Sequence, residues 1–402
     1  MITIKPFRAW RPNADDLLEV ACVPYDVINT EEATALAKGK PKSFLHVIRP
    51  EIDLPAGTDE HATEVYKKGA DNLRKFQSEG TLIQDEQPSL YIYRLIWKNR
   101  AQTGLFTCVS VKDYDEDRIL KHELTRPDKE DDRTRHITTQ QAHAEPVMLT
   151  YKGTDKVNAL VEKDTAGEPV YDFSAGDGVQ HTLWKVENPQ AYTDAFRDVE
   201  ALYVADGHHR CKSASRAAEE MKAKNPNHTG DEEYNFFPAV VIPMEQMEIL
   251  PYNRVIHDFP DDVFRQMAET LGFKKTENPV PIKKGQCCSY FYGDWYEFDL
   301  PVVDQPDPVQ ILDAARLQNH ILEPYFGIKN PRTDKNVSFI GGIRGTKELE
   351  RLVDSGKAKL GFSMFATDIR ELIEVSDAGM LMPPKCTWFE PKLRSGLLIH
   401  TF

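Results

Sequence analysis

Short β-prone runs alternate with segments of helical spacing along the whole chain, and that alternation allows few folds. Residues 201–205 (ALYVA) are an apolar run too short for a buried helix, and a helix-prone segment follows at once over residues 209–224. A chain written this way stacks sheet against helix, because each element has an apolar face to bury. The expected fold class is α/β in the broad sense, a mixed α+β protein with mixed sheets. Apolar residues make up 40% of the 402, enough for a sizeable core, and charged residues 28%. The longest apolar stretches, such as residues 236–244, fall well short of the ~20 residues a membrane helix needs.

Charge and cysteine usage narrow the partners. Lys and Arg total 50 against 64 Asp and Glu, a formal net charge of −14. Affinity for a nucleic-acid backbone comes from a surplus of cations, so a dedicated DNA or RNA binder is not expected. The six cysteines are scattered apart from Cys287-Cys288 and form no CxxC, ordinary usage for a reducing compartment. The first residues run straight into strand-like sequence and lack the apolar centre of a signal peptide. A cytoplasmic protein with no membrane contact is expected, and homo-oligomerisation is left open.

Residues 43–49 (SFLHVIR) read as a buried strand, and residues 61–79 as a helix stopped by Gly80. Asn29 and Glu32 have the spacing of a capping box at the start of another helix. Residues 90–97 and 104–114 read as a hairpin, and residues 287–300 as a second one around Gly293-Asp294. Residues 121–143 are dense in charge and read as a helix with a mostly solvated surface or as an ordered loop. Strands are expected at 147–151, 181–186, 236–242, 337–340, 360–365 and 396–401, and helices at 155–163, 189–200, 309–322, 346–352 and 368–373. Three regions follow, 1–118, 119–245 with the phosphate site, and 246–402, with one integrated fold as the alternative.

The densest chemistry is Tyr203-Val204-Ala205-Asp206-Gly207-His208-His209-Arg210, set between strand and helix. Gly207 permits a tight turn, and the new helix presents unpaired N–H groups whose dipole end favours a phosphate. Arg210 adds a forked, permanent cation, and His208 and His209 add donors. Asp206 suits a magnesium ion or a hydroxyl proton. A capped helix with polar residues facing water is the plainer alternative.

Asp206-Gly207-His208-His209-Arg210 after a buried strand resembles the signature of the ParB/sulfiredoxin-like nucleotide-binding superfamily, and within it the free L-serine kinases of the SerK type. The resemblance covers about residue 201 into the next helix. It implies that these five residues grip nucleotide phosphates and that a separate glutamate activates the serine hydroxyl. Sulfiredoxin needs a cysteine where His208 stands, so sulfinic-acid reduction is not expected. A second resemblance spans nearly the whole chain. Residues 4–12 (IKPFRAWRP), 24–28 (PYDVI), 122–127 (HELTRP), the DGHHR and 382–385 (MPPK) are similar to a widespread bacterial family catalogued as a conserved domain of unknown function, number ten-fifteen.

Residues 121–133 (KHELTRPDKEDDR) are the second candidate. Phosphoryl transfer needs cations, a carboxylate for the acceptor hydroxyl and usually magnesium. Arg126 and Arg133, with Arg135, supply the first, Glu123 the second and Asp128 the third; a solvated helix laced by i,i+4 pairs is the alternative. Lys385 and Lys392 are lesser phosphate candidates, and Asn330 to Asp334 reads as a tight turn. His122, His136 and His143 lack zinc spacing. Residues 341–345 (GGIRG) do not match a dinucleotide loop, and GxSxG is absent.

The expected function is a small-molecule kinase: ATP or ADP with Mg²⁺ near Asp206 and Arg210, and a small hydroxylated metabolite, free L-serine by analogy, as acceptor. The rival is a nucleotide-binding regulator of the ParB-like type with no small-molecule acceptor. A third option is a site for a sugar phosphate or another anion.

Overall fold

The computed structural model describes residues 1–304 and 307–402. Met1–Lys121, Thr125–Met247 and Pro391–Phe402 make one compact unit, and His122–Leu124 with Glu248–Glu390 make a second. Both are sheet-and-helix units, and the architecture is mixed α+β with parallel and antiparallel ladders.

The first unit is built on a nine-stranded sheet. Its order is Ile119–Leu120, Leu202–Asp206, Val147–Tyr151, Phe236–Pro243, Arg100–Ser110, Tyr91–Trp97, Gln180–Lys185 and Tyr171–Ser174, with Ile4–Lys5 added on Arg100–Ser110. Strands from both sides of residue 118 share this sheet. Val147–Tyr151 runs parallel to Phe236–Pro243 but antiparallel to Leu202–Asp206. The central strands are buried on both faces, which explains their near-continuous apolar sequence.

Several local signals act as the sequence predicts. Asn29 Oδ1 accepts from Glu32 N at 2.8 Å while Glu32 Oε2 accepts from Asn29 N at 2.9 Å, a complete capping box. In the first hairpin Lys98 and Asn99 both take positive φ, 48° and 63°, the primed-turn geometry that matches strand twist. Its second strand ends at Ser110, whose side chain caps the short helix Val111–Asp115, so residues 111–114 are helical rather than extended.

Other expectations are corrected. Residues 43–49 are not a strand: Leu45–Ile48 is a helical turn packed against the helix Thr63–Ser78, with Asn72 Nδ2 donating to His46 O. A short run that is apolar on every side carries no periodicity to tell the two apart. The segment from 121 to 143 is not mostly solvated either. Its helix, Pro127–Gln140, buries Asp132, Arg133, Thr134, His136, Ile137 and Gln140; Arg133 pairs with Asp132, and Gln140 Nε2 donates to Val47 O at 3.0 Å. The terminal strand shrinks to His400–Thr401, preceded by isolated bridges from Ile399 to Trp10 and Ser395 to Cys22.

The second unit carries a six-stranded antiparallel sheet ordered Lys274–Thr276, Asp294–Asp299, Gln286–Phe291, Leu360–Met364, Tyr252–Ile256 and Val337–Gly341. Its hairpin turns at Tyr292-Gly293, one residue earlier than expected. The helix expected at 309–322 starts only at Asp313 and widens into a π turn at Gln318–Leu322. Among the described residues no helix is long and apolar enough to cross a membrane, and all six cysteines are buried free thiols.

Candidate functional site

The strand Leu202–Asp206 delivers the DGHHR segment to the edge of the first unit's sheet. Its register shifts between Val204 and Asp206, a bulge that re-aims the last residue. Gly207 follows at φ +102°, a conformation that L side chains rarely adopt, and caps the 17-residue helix His208–Lys224. A Cβ on Gly207 would sit 3.1 Å from Arg210 Nε and 3.1 Å from Val147 Cγ1, so the glycine also makes room for the arginine.

Arg210 is the pivot of a buried charge network. It is only 8% exposed. Its Nη1 donates to Pro146 O, and its Nη2 lies 3.4 Å from Asp206 Oδ2 and 3.6 Å from Asp26 Oδ2. Burial disfavours the cation, but Asp26, Asp206 and Glu145 outweigh it and hold the guanidinium above its ordinary pKa. Lys392 Nζ stands 3.6 Å from the same Asp206 Oδ2. Glu145 is buried and its pKa is raised by burial; its Oε1 accepts from Tyr25 N at 3.1 Å and from Ser395 Oγ at 2.8 Å.

The neighbouring helix Pro127–Gln140 begins beside this turn. His209 Nε2 accepts from the backbone N–H of Arg126, its N-cap residue, at 3.2 Å. Two helix starts, each the positive end of a helix dipole, therefore meet at His209. This arrangement favours an anion. The Arg126 side chain is exposed and pairs with Asp128 at 2.7 Å. Arg133 instead turns inward, holding Asp132 Oδ2 at 2.8 and 2.6 Å and lying 4.0 Å over the Tyr25 ring. Behind it a cavity of about 40 Å³, lined by Arg133, His136, His143, Glu145 and Arg210, has room for a few waters and not for a nucleotide.

Glu123 belongs to the second unit, where its Oε1 lies 4.0 Å from Arg332 Nη1. Arg332 also donates to Leu124 O at 3.2 Å, and Met382 N donates to His122 O at 2.8 Å, which fixes this short segment within that unit. Lys385 adopts φ +58°, and its carbonyl accepts from the buried Arg254 at 3.1 Å. Among the described residues no group of three or more His, Cys, Asp or Glu is placed to hold a metal. Asp206 offers one carboxylate, which suits a magnesium ion carried on nucleotide phosphates that keeps most of its waters, and does not suit a metal caged by protein alone.

Sequence reasoning did not single out Asp26 or Glu145 as members of this network. Asp26 lies within the PYDVI motif, the one signal that marked it; Glu145 carried none.

The Asp132 cluster makes an acid-stability prediction. Burial pushes the Asp132 carboxyl up, but Arg133, His136 and the Tyr66 hydroxyl outweigh it and hold its pKa at about 2. Its folded pKa lies below the unfolded value, so the stabilisation is present above about pH 4 and is lost as pH falls toward 2. His136 and His143, driven well below the usual histidine pKa by burial, add a loss that begins near pH 6.5. Urea midpoints measured against pH are expected to fall in these two stages, with Asp132 contributing roughly 2 kcal/mol. A flat profile between pH 4 and 2.5 contradicts the buried pair.

A family model described as "Protein of unknown function (DUF1015)" matches residues 4–315. The chain belongs to this family. Curated proteins give no match. Among solved structures, a conserved hypothetical protein from Pyrococcus furiosus aligns at 12% identity and TM-score 0.37, over 73% of this chain and 95% of its own. A free serine kinase in complex with AMP aligns at 12% identity and TM-score 0.37, over 73% and 91%. SbnI with a C-terminal truncation, from Staphylococcus aureus, aligns at 13% and TM-score 0.37, over 73% and 86%. Likenesses this distant carry nothing about the activity of this member of the family.

Proposed function

We propose that the start of the His208–Lys224 helix binds nucleotide phosphates and that the protein is a phosphotransferase using ATP or ADP with magnesium. Its acceptor is a small hydroxylated metabolite, and the resemblance of the DGHHR segment to free L-serine kinases makes L-serine the first to test. The observation that supports this reading is the grouping of Asp206, Arg210 and Lys392 at two adjoining helix starts. Arg210 and Lys392 balance phosphate charge, Gly207, His208 and His209 frame the backbone donors, and the exposed Arg126 adds positive charge at the start of the adjoining helix, with Arg133, turned inward onto Asp132, the lesser candidate. Asp206, with Asp128 as the lesser candidate, takes the magnesium that screens the transferring group. In the transfer the acceptor oxygen bonds to the terminal phosphorus as the bridging P–O bond breaks, and the hydroxyl proton passes to a carboxylate, the role given to Glu123.

The test is nucleotide consumption by the full chain with Mg²⁺ against L-serine, other amino acids and polyols. Acceptor-dependent release of ADP from ATP, or AMP from ADP, is expected with a phosphorylated acceptor. Nucleotide binding without acceptor-dependent turnover favours the ParB-like regulator, and absence of nucleotide binding defeats both readings.

A further inference from the structure

A second, larger cavity opens at the opposite end of the strand that meets Asp206. Asp206 pairs with Met148, near the start of Val147–Tyr151, because the two strands run antiparallel. At the far end of that strand, and of Phe236–Pro243 parallel beside it, lies a cavity of about 460 Å³. That volume is within the ~300–1,000 Å³ of small-molecule sites, and the carboxyl ends of parallel strands are where such sites recur.

Its lining is charged in a particular way. Asp155, Asn158 and Glu162 recur at i, i+3 and i+7 on the helix Asp155–Thr165, so one polar stripe of that helix lines the cavity. Glu245 joins them near Gly153, where a Cβ would come within 2.8 Å of Glu245 Oε2 and crowd the carboxylate. From the sheet comes Arg94, registered against Thr103, with its guanidinium 4.5 Å over the Trp184 ring. Arg94 Nε is buried without a hydrogen-bond partner. Among the described residues neither Arg94 nor Asp155, Glu162 or Glu245 has an ion-pair partner within 4 Å. One cation stacked on an indole but without a carboxylate partner, and three exposed carboxylates, line one open cavity and are complementary to a ligand that carries both signs.

We propose that this cavity binds an α-amino acid. The Arg94 guanidinium takes the ligand carboxylate, the carboxylates of Asp155, Glu162 and Glu245 take its ammonium, and Asn158 and Thr103 supply hydrogen bonds. Because three carboxylates face one cation, a second ammonium on the ligand is favoured and a second carboxylate repelled. Basic amino acids therefore bind tightest and acidic ones weakest. The site is independent of the kinase reading.

Calorimetric titration of the full chain with L-lysine, L-alanine, L-glutamate and cadaverine (lysine without its carboxylate) tests it. L-Lysine is expected to bind more tightly than L-alanine, L-glutamate not to bind, and cadaverine to bind more weakly than L-lysine. Arg94→Gln is expected to weaken L-lysine roughly ten- to hundredfold, and Glu162→Gln, on a solvent-facing helix, by less. ADP titrations of both variants should match the unsubstituted protein, so loss of nucleotide binding in all three chains bears on the kinase reading alone. The proposal is overturned if neither L-lysine nor L-alanine binds, if cadaverine matches L-lysine, or if both variants bind L-lysine unchanged. Loss of L-lysine binding in Asp206→Asn overturns it as well, since that residue lies at the other end of the strand.

Discussion

Arg210→Ala is expected to cost both nucleotide binding and fold stability. From sequence, Arg210 reads as a permanently charged phosphate fork whose loss changes stability little. The structure buries it at 8% exposure among Asp26, Asp206 and Glu145, and the truncation leaves those carboxylates without their shared cation. Breaking a buried pair from one side costs ~3–5 kcal/mol. The lower end applies, because the Asp206 and Asp26 side chains keep exposures of 28% and 36%. A loss of about 3 kcal/mol in urea unfolding is expected, together with a roughly ten- to hundredfold weaker response to ADP in thermal-shift titration. Arg210→Lys separates the two effects: it restores part of the stability through its charge but not the forked contact. Unchanged nucleotide stabilisation in Arg210→Ala rules out the phosphate site at this helix start.

Asp206→Asn and Glu123→Gln are expected to fail in different ways. Asp206 stands 3.4 Å from Arg210 and 3.6 Å from Lys392, so removing its charge disturbs the magnesium requirement and the phosphate-binding cations together. A higher Mg²⁺ concentration for half-maximal rate and weaker nucleotide binding follow, whichever acceptor is supplied. Glu123→Gln keeps nucleotide affinity and lowers turnover by roughly 10²–10⁴-fold, the usual worth of a general base. Rates measured against Mg²⁺ and nucleotide distinguish the two. If Glu123→Gln turns over at the original rate, the base is another residue.

Features written within a few residues were legible from the sequence. The Asn29–Glu32 capping box, the Lys98-Asn99 turn and the strand, glycine and helix around Gly207 each depend on backbone geometry that neighbouring residues impose. The run at 43–49 was not legible, because side chains buried on every side suit a strand and a helical turn equally. The charge-dense segment 121–143 was legible as a solvated helix or an ordered loop, and not as the buried helix Pro127–Gln140. Its Asp132, Arg133 and His136 are solvated residues by type, and only the Tyr25 and Tyr66 rings and the carboxylate–guanidinium pairing let them go inside.

The sequence by itself determined that the chain is mixed α+β, that it belongs with its family's motifs, and that Asp206 to Arg210 sit at a strand–helix turn. The fold class and the turn rest on composition, periodicity and local spacing, and the family on the resemblance of its motifs. Only the tertiary structure decided that Arg210 is shared by residues 26, 145 and 206, and that Lys392 reaches Asp206 from near the end of the chain. It also decided that Arg94 and one exposed stripe of the Asp155–Thr165 helix line a second, open cavity. Such groupings depend on strand order and on which charges are withdrawn from water together. Burial is what makes an ion pair or an unpaired charge consequential, and burial is a property of the whole packed unit.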